Sequence, residues 1–98
     1  MLSHHVLFWL KADTTAEQKA SFRKGLESVK AIETVKSIHI GTPAPIERAV
    51  VDTTYTFSLL LSFDDLAGHD VYQVHPVHKA FLDEFRGLFD KVVIYDAQ

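Results

Sequence analysis

The feature that most constrains the fold is the order in which the spacing of apolar residues changes along the 98 residues. Segments with alternating or continuous apolar residues, which predict strands, lie at residues 4–11, 35–40, 54–63 and 91–96. Helical spacing separates the first strand from the second, and the third from the fourth. The predicted order is β-α-β-β-α-β, typical of a ferredoxin-like α+β domain with a four-stranded antiparallel sheet and its helices on one face. The length suits a single domain that spans residues 1–98.

The first helix is predicted to begin near Asp13 or Thr14 and to end near Lys30. Thr14 and Glu17 have the spacing of a capping box, which satisfies free backbone N–H groups at a helix start. One apolar stripe at helical spacing follows: Phe22, Leu26 and Val29. Gly25 lies beside the stripe, and we expect its missing side chain to allow a close approach to the sheet.

The third strand shows the strongest alternation in the chain. Its odd-numbered residues are large and apolar: Tyr55, Phe57, Leu59, Leu61 and Phe63. Residues 42–53, which precede it, contain two prolines within three residues and therefore form a loop at their start. Because this loop is long for a hairpin connection, we expect it to have a function or to form a contact surface.

The two faces of the sheet lead to a prediction about assembly. The odd-numbered set of the first strand, His5, Leu7 and Trp9, is expected to pack with Phe57 and Leu59 against the helices. The other face has no cover within one chain, although it is too apolar to be left in water. We therefore predict a twofold homodimer, packed sheet to sheet. Its predicted interface residues are Val6, Phe8, Leu10, Leu60, Val93 and Tyr95.

A short stretch around Pro76 carries the candidate chemistry. Proline cannot continue a helix but suits a first turn, so one helix is predicted from Leu66 to about Gln73 and another from Pro76. His78 then lies near a helix N-terminus, where the helix dipole disfavours the imidazolium and should keep its pKa below the usual value of about 6.5. Tyr72 ends the preceding helix, and a phenol with a neutral imidazole forms a usable acid–base pair.

The same stretch also has a purely structural interpretation. In that case His75 caps the second helix, His78 is a surface histidine, and Tyr72 is a core ring whose hydroxyl reaches solvent.

Composition excludes several functions. The chain is 47% hydrophobic and 23% charged, with a net charge of −3 and no basic run, which argues against nucleic acid or an anionic membrane as partner. It has no cysteine, so disulfides and thiol nucleophiles are excluded. No signal-peptide pattern and no apolar run of about 20 residues is present, and we predict a soluble cytoplasmic protein.

Several of these residues together resemble the stress-responsive dimeric α/β-barrel (Dabb) family. They are His5-Val6 in the first strand, Gly41 after the second, the run Tyr72-x-x-His75-Pro76-x-His78, and the closing Tyr95-Asp96. The similarity extends over essentially the whole chain, and the His-Pro-x-His run is its most specific part. The resemblance implies the fold predicted above, the sheet-to-sheet dimer, and a family in which most members have no established activity.

The resemblance also implies a site. A plant polyketide cyclase of this family uses a tyrosine and a histidine for an aldol cyclisation without a cofactor, and Tyr72 and His78 match that pair. His5 matches a pocket histidine, and His75 supports the site. The implied pocket lining is Leu7, Trp9, Phe22, Leu26, Phe57, Leu59, Val92 and Ile94. Leu26 and Phe57 stand where the cyclase has a tyrosine and a histidine, so a different, more apolar ligand is expected.

Three functions remain open at this stage. The first is a binding or stress-associated dimer that holds a small, partly apolar carbonyl or phenolic molecule between sheet and helices, or holds nothing. The second is a cofactor-free acid–base enzyme, such as an aldol-type cyclase, lyase or isomerase. The third is a metal site formed by His5, His69, His75 and His78. It is disfavoured because no carboxylate completes a ligand pattern and Pro76 breaks the helical spacing. We expect no metal and no cofactor; no residue suggests a haem ligand.

Overall fold

A computed structural model describes all 98 residues, which form an α+β fold. The elements in chain order are β1 (Leu2–Leu10), α1 (Ala16–Ser28), β2 (Ser37–Gly41), β3 (Phe57–Phe63), α2 (Leu66–Val74), α3 (Pro76–Phe85) and β4 (Phe89–Ala97). Short 3-10 turns extend α1 over Val29–Ala31 and α3 over Arg86–Leu88. The strands form one antiparallel sheet in the order β2-β3-β1-β4, and the predicted ferredoxin-like fold is confirmed.

The predicted orientation of β1 is wrong by one residue. Its even-numbered residues are the buried ones: Leu2, His4, Val6, Phe8 and Leu10. Val6 pairs with Leu59 of β3 and with Ile94 of β4, so all three lie on the side of the sheet that the helices cover. Because both alternating sets of β1 are apolar, the sequence could not show which set faces the helices.

This inversion moves six predicted residues to the other side of the sheet. Val6, Phe8 and Leu10, predicted at a dimer interface, lie in the core beneath the helices. His5, Leu7 and Trp9, predicted beside the pocket, lie on the face without helices, which we call the open face. There, His5 Nε2 is 2.8 Å from Ser58 Oγ, and Trp9 Nε1 donates to Thr54 Oγ1 at 2.9 Å.

The other strands keep their predicted orientation. Leu60, Val93 and Tyr95 lie on the open face, where Val93 pairs with Leu7. Phe57 and Leu59 face the helices and are almost fully buried. β3 begins at Phe57 rather than Thr54, because Thr54 hydrogen-bonds Asp52 and so belongs to the preceding loop.

Phe22 forms the centre of the core. Its side chain has no solvent exposure, and its ring stacks on Phe57 with 5.3 Å between centroids. Phe8 from β1 and Phe81 and Phe85 from α3 meet it edge to face at 5.1–5.4 Å. These contacts join α1, α3 and the sheet, and they hold the helices at a fixed distance above the strands.

The helix boundaries follow local hydrogen bonds. The capping box of α1 is formed by Thr15 and Gln18, one residue later than predicted, because the hydroxyl of Thr14 donates to the Lys11 carbonyl at 2.6 Å. The predicted break at Pro76 is confirmed, since His75 ends α2 and also caps α3. None of the helices combines the length and the apolar character that a membrane span requires.

Gly25 provides the first testable prediction. It approaches α3 and not the sheet: a Cβ atom added there would lie 2.3 Å from Phe85 Cε2 and 3.0 Å from Phe81 Cδ1. We expect Gly25→Ala to lower the free energy of unfolding by about 1–3 kcal/mol, because the cost of overpacking exceeds the gain in helix propensity. Urea denaturation measures the change, and Lys24→Ala on the exposed side of α1 is the control. A more stable Gly25→Ala variant would contradict the close approach.

Candidate functional site

A cavity of about 190 Å³ lies between the covered side of the sheet and the helices. Eleven of its 14 lining residues are hydrophobic, and the other three are His4, Gln73 and His78. Tyr72, one of the eleven, adds a hydroxyl group. Four of the predicted pocket residues line it: Leu26, Leu59, Val92 and Ile94. Phe22 and Phe57 instead lie in the core next to it, and Leu7 and Trp9 lie across the sheet.

Tyr72 and His78 meet at this cavity, as the sequence predicted. Their ring centroids are 4.4 Å apart, and Tyr72 is only 3% exposed. The break at His75 turns the chain between α2 and α3, so that the two side chains reach the same space from different helices. A hydroxyl donor and an imidazole therefore lie together against a largely apolar wall.

One hydrogen bond of His78 shows which ring nitrogen carries the proton. Nδ1 lies 3.2 Å from the Gln73 carbonyl oxygen, and because a carbonyl only accepts, Nδ1 carries the proton of the neutral ring. Nε2 is then the unprotonated nitrogen. Burial lowers the pKa of His78, opposed by the bond to Gln73. The direction agrees with the sequence prediction, but the main cause is burial and not the helix dipole.

The hydroxyl of Tyr72 keeps its proton. Burial, with a smaller contribution from the charge of Asp96, raises the pKa of Tyr72 well above its usual range. At neutral pH the group is therefore a hydrogen-bond donor to a ligand oxygen, and it does not act as a phenolate base.

His4 is the site residue that the sequence analysis missed. It lines the cavity, is 2% exposed, and its ring centroid lies 5.4 Å from that of Tyr72. Its Nδ1 is 2.5 Å from Oδ1 of Asp96, on the neighbouring strand β4. Burial lowers the pKa of His4, and the bond to Asp96 opposes this effect. Of the two adjacent histidines, His4 faces the cavity because the even-numbered residues of β1 are the buried ones.

His75 has a structural position. Its Nδ1 accepts a hydrogen bond from the backbone N–H of Val77 at 3.1 Å, and its Nε2 is 3.5 Å from Glu33 Oε2. It does not line the cavity. By fixing the first turn of α3, His75 sets the position of His78, one turn later in the same helix.

The four histidines of the disfavoured metal alternative are not brought together. His5 lies on the open face, and His75 points to Glu33. His69 lies beside His4, with 5.1 Å between ring centroids, and near Asp96.

Taken together, the fold and the cavity define a small ferredoxin-like domain with an apolar chamber between sheet and helices. The sequence matches the family described as the stress responsive A/B barrel domain, Dabb, over residues 2–98. The chain therefore belongs to the Dabb family.

Two related proteins and two solved structures illustrate its similarities. The chain is 30% identical to a stress-response A/B barrel domain-containing protein of Arabidopsis thaliana, over 95% of this chain and 81% of that protein. It is 25% identical to olivetolic acid cyclase of Cannabis sativa, over 97% of this chain and 93% of the cyclase.

Among solved structures, an Arabidopsis thaliana protein superposes with a TM-score of 0.83 at 26% identity, covering 100% of this chain and 94% of that one. A dimeric ferredoxin-like protein of unknown function from Thermobifida fusca superposes with a TM-score of 0.81 at 23% identity, covering 98% of this chain and 88% of that one. The second similarity concerns the fold alone.

Proposed function

We propose that this protein is a homodimer that binds a small, largely apolar molecule bearing one carbonyl or phenol oxygen. The observation that carries the proposal is the cavity, where Tyr72 and His78 meet against apolar walls. Ligand sites commonly combine such walls with a few polar groups that fix the orientation of the ligand. The volume of about 190 Å³ suits a molecule of roughly one ring, because an apolar cavity of about 150 Å³ holds benzene.

The second copy would cover the open face. Leu7, Leu60 and Val93 form an apolar surface there that no helix covers, and Tyr95 beside them is 64% exposed. Trp9 lies at the end of this surface, where Tyr55 packs against its ring. A twofold axis would place the same surface of each chain against the other. The Thermobifida fusca protein of the same fold is dimeric, which supports a dimer of this chain but does not define its interface.

A second candidate is an acid–base enzyme in which Tyr72 and His78 carry the chemistry. The observation that favours it is the free Nε2 of His78 beside the protonated Tyr72. Nε2 would take a proton from a carbon next to the ligand carbonyl, and the Tyr72 hydroxyl would donate to the enolate oxygen that forms. Such a step fits an aldol-type cyclase, a lyase or an isomerase.

The binding form is tested with single-ring ketones and phenols as probes. We expect isothermal titration to show one site per chain, with Tyr72→Phe weakening affinity by about tenfold through the lost hydrogen bond. Tyr55→Phe, which removes a hydroxyl from a residue that does not line the cavity, is the matched control and should bind like the wild type. Equal affinities of the wild type and Tyr72→Phe for every probe would refute the orientation of the ligand by Tyr72.

The acid–base enzyme hypothesis is tested by measuring hydrogen exchange in a ketone probe. With a ketone probe that exchanges its α-hydrogens for deuterium, His78→Ala should abolish the exchange catalysed by the protein while circular dichroism stays unchanged. Tyr72→Phe should slow it by roughly 10–1000-fold, the scale of losing an acid–base or oxyanion partner. His39→Ala, at an exposed position of β2, is the control. Exchange that persists in His78→Ala would exclude His78 as the base.

A further inference from the structure

Three potential metal ligands converge beside the cavity, from three different elements. They are His4 on β1, His69 on α2 and Asp96 on β4. One ligand atom from each lies within 4.8 Å of the others. His4 Nδ1 is 2.5 Å from Asp96 Oδ1, and His69 Nε2 is 4.0 Å from Asp96 Oδ2. No local motif in the sequence joins them, because they lie far apart in the chain.

We infer that His4, His69 and Asp96 bind a divalent transition-metal ion such as Zn²⁺ or Co²⁺. Two imidazole nitrogens and one carboxylate form a ligand set that suits these ions, whereas Mg²⁺ and Ca²⁺ prefer sites made of oxygen. Three protein ligands leave at least one coordination position for water or another small molecule.

The surroundings of His69 fit a metal ligand. Its Nδ1 lies 3.3 Å from Oδ1 of Asp70, which leaves Nε2 on the side of Asp96. Histidines that bind metals commonly donate their other ring N–H to a carboxylate in this way. The Gln73 amide lies 3.0 Å from the same Nε2 and has to rotate away when an ion binds. Gln73 is exposed, so that rotation is not blocked by packing.

The pair of His4 and Asp96 has to open for the ion. With bonds of about 2.0–2.2 Å, two tetrahedral ligand atoms lie roughly 3.3 Å apart, which is longer than their present 2.5 Å separation. Neutral His4 has one ring proton, which Nδ1 shares with Asp96. On binding, this proton would move to Nε2 of His4, and the ion would take its place between Nδ1 and the carboxylate. The Asp96 side chain is 42% exposed and gives the ion access, while His4 is buried.

Metal titration of the tag-free protein tests this inference without any organic ligand. We expect Co²⁺ to bind with one ion per chain and visible ligand-field bands, and Zn²⁺ to displace it. His69→Ala and Asp96→Asn should each weaken Zn²⁺ binding by at least tenfold in competition with a chromophoric chelator. Asp70→Asn should weaken it by roughly 10–100-fold, the usual range for a carboxylate that supports a metal-binding histidine.

His39→Ala is the matched control and should retain the affinity. It replaces a histidine outside the group, so it separates this site from weak surface binding. Absence of stoichiometric binding to the wild type would overturn the inference, as would unchanged affinity in His69→Ala. Because His69 does not line the cavity, such a result would leave the proposed ligand site standing.

Discussion

Replacing Leu60 with glutamate is expected to convert the proposed dimer into a folded monomer. Leu60 lies on the open face between His5 of β1 and His39 of β2, and it is 39% exposed in the single chain. In a twofold interface each substitution occurs twice. Taking a carboxylate out of water costs several kcal/mol, and pairing with His5 or His39 would offset only part of that cost. Sedimentation at micromolar concentration should give about twice the chain mass of 11.1 kDa for the wild type and one chain mass for Leu60→Glu.

The chain offers a closely matched control for this experiment. Val71 on α2 is 40% exposed, and Val71→Glu should leave the dimer intact because that position lies away from the open face. Trp9 gives a second readout: it lies on the open face, so its emission should shift to the red when the partner leaves. A Leu60→Glu protein that sediments as a dimer would place the interface elsewhere.

Phe22→Ala is expected to lower the free energy of unfolding by about 3–5 kcal/mol, a large part of the stability of a small domain. The side chain is fully buried and touches aromatic rings from β1, β3 and α3. Its removal leaves a cavity that rings held by separate elements cannot close. Urea denaturation of the purified variant measures the loss.

Phe22→Leu is the graded control, because it keeps an apolar side chain in the same space. It should lose clearly less stability than Phe22→Ala. If both variants were within about 1 kcal/mol of the wild type, the surrounding core would be able to collapse, and Phe22 would not be its centre.

The orientation of β1 decides how assembly and ligand binding are divided between the two sides of the sheet. With the predicted register, His5 would have belonged to the pocket and Val6 to the interface. In the structure, His4 and Val6 line the cavity, and His5 lies on the open face. A substitution at His4 should therefore affect the ligand site, and one at Leu7 the assembly.

The sequence alone determined the features that depend on local chemistry. Changes of apolar spacing set the order of strands and helices, and Pro76 set the break that gives Tyr72 and His78 a common cavity. The direction of the His78 pKa was also predictable, although the structure assigns it mainly to burial. The helix cap of α1 lies one residue later than predicted, because the hydroxyl of Thr14 donates a hydrogen bond to the Lys11 carbonyl and is not available as a cap.

Tertiary structure decided what depends on pairing between distant segments. In β1 both alternating sets are apolar, and only its register with β3, where Val6 meets Leu59, selects the buried set. The same pairing with β4 brings His4 to Asp96, and the packing of α2 then adds His69. The sequence of one strand does not show which of its residues pair with which residues of the neighbouring strand. These contacts therefore could not be predicted from the sequence of β1 alone.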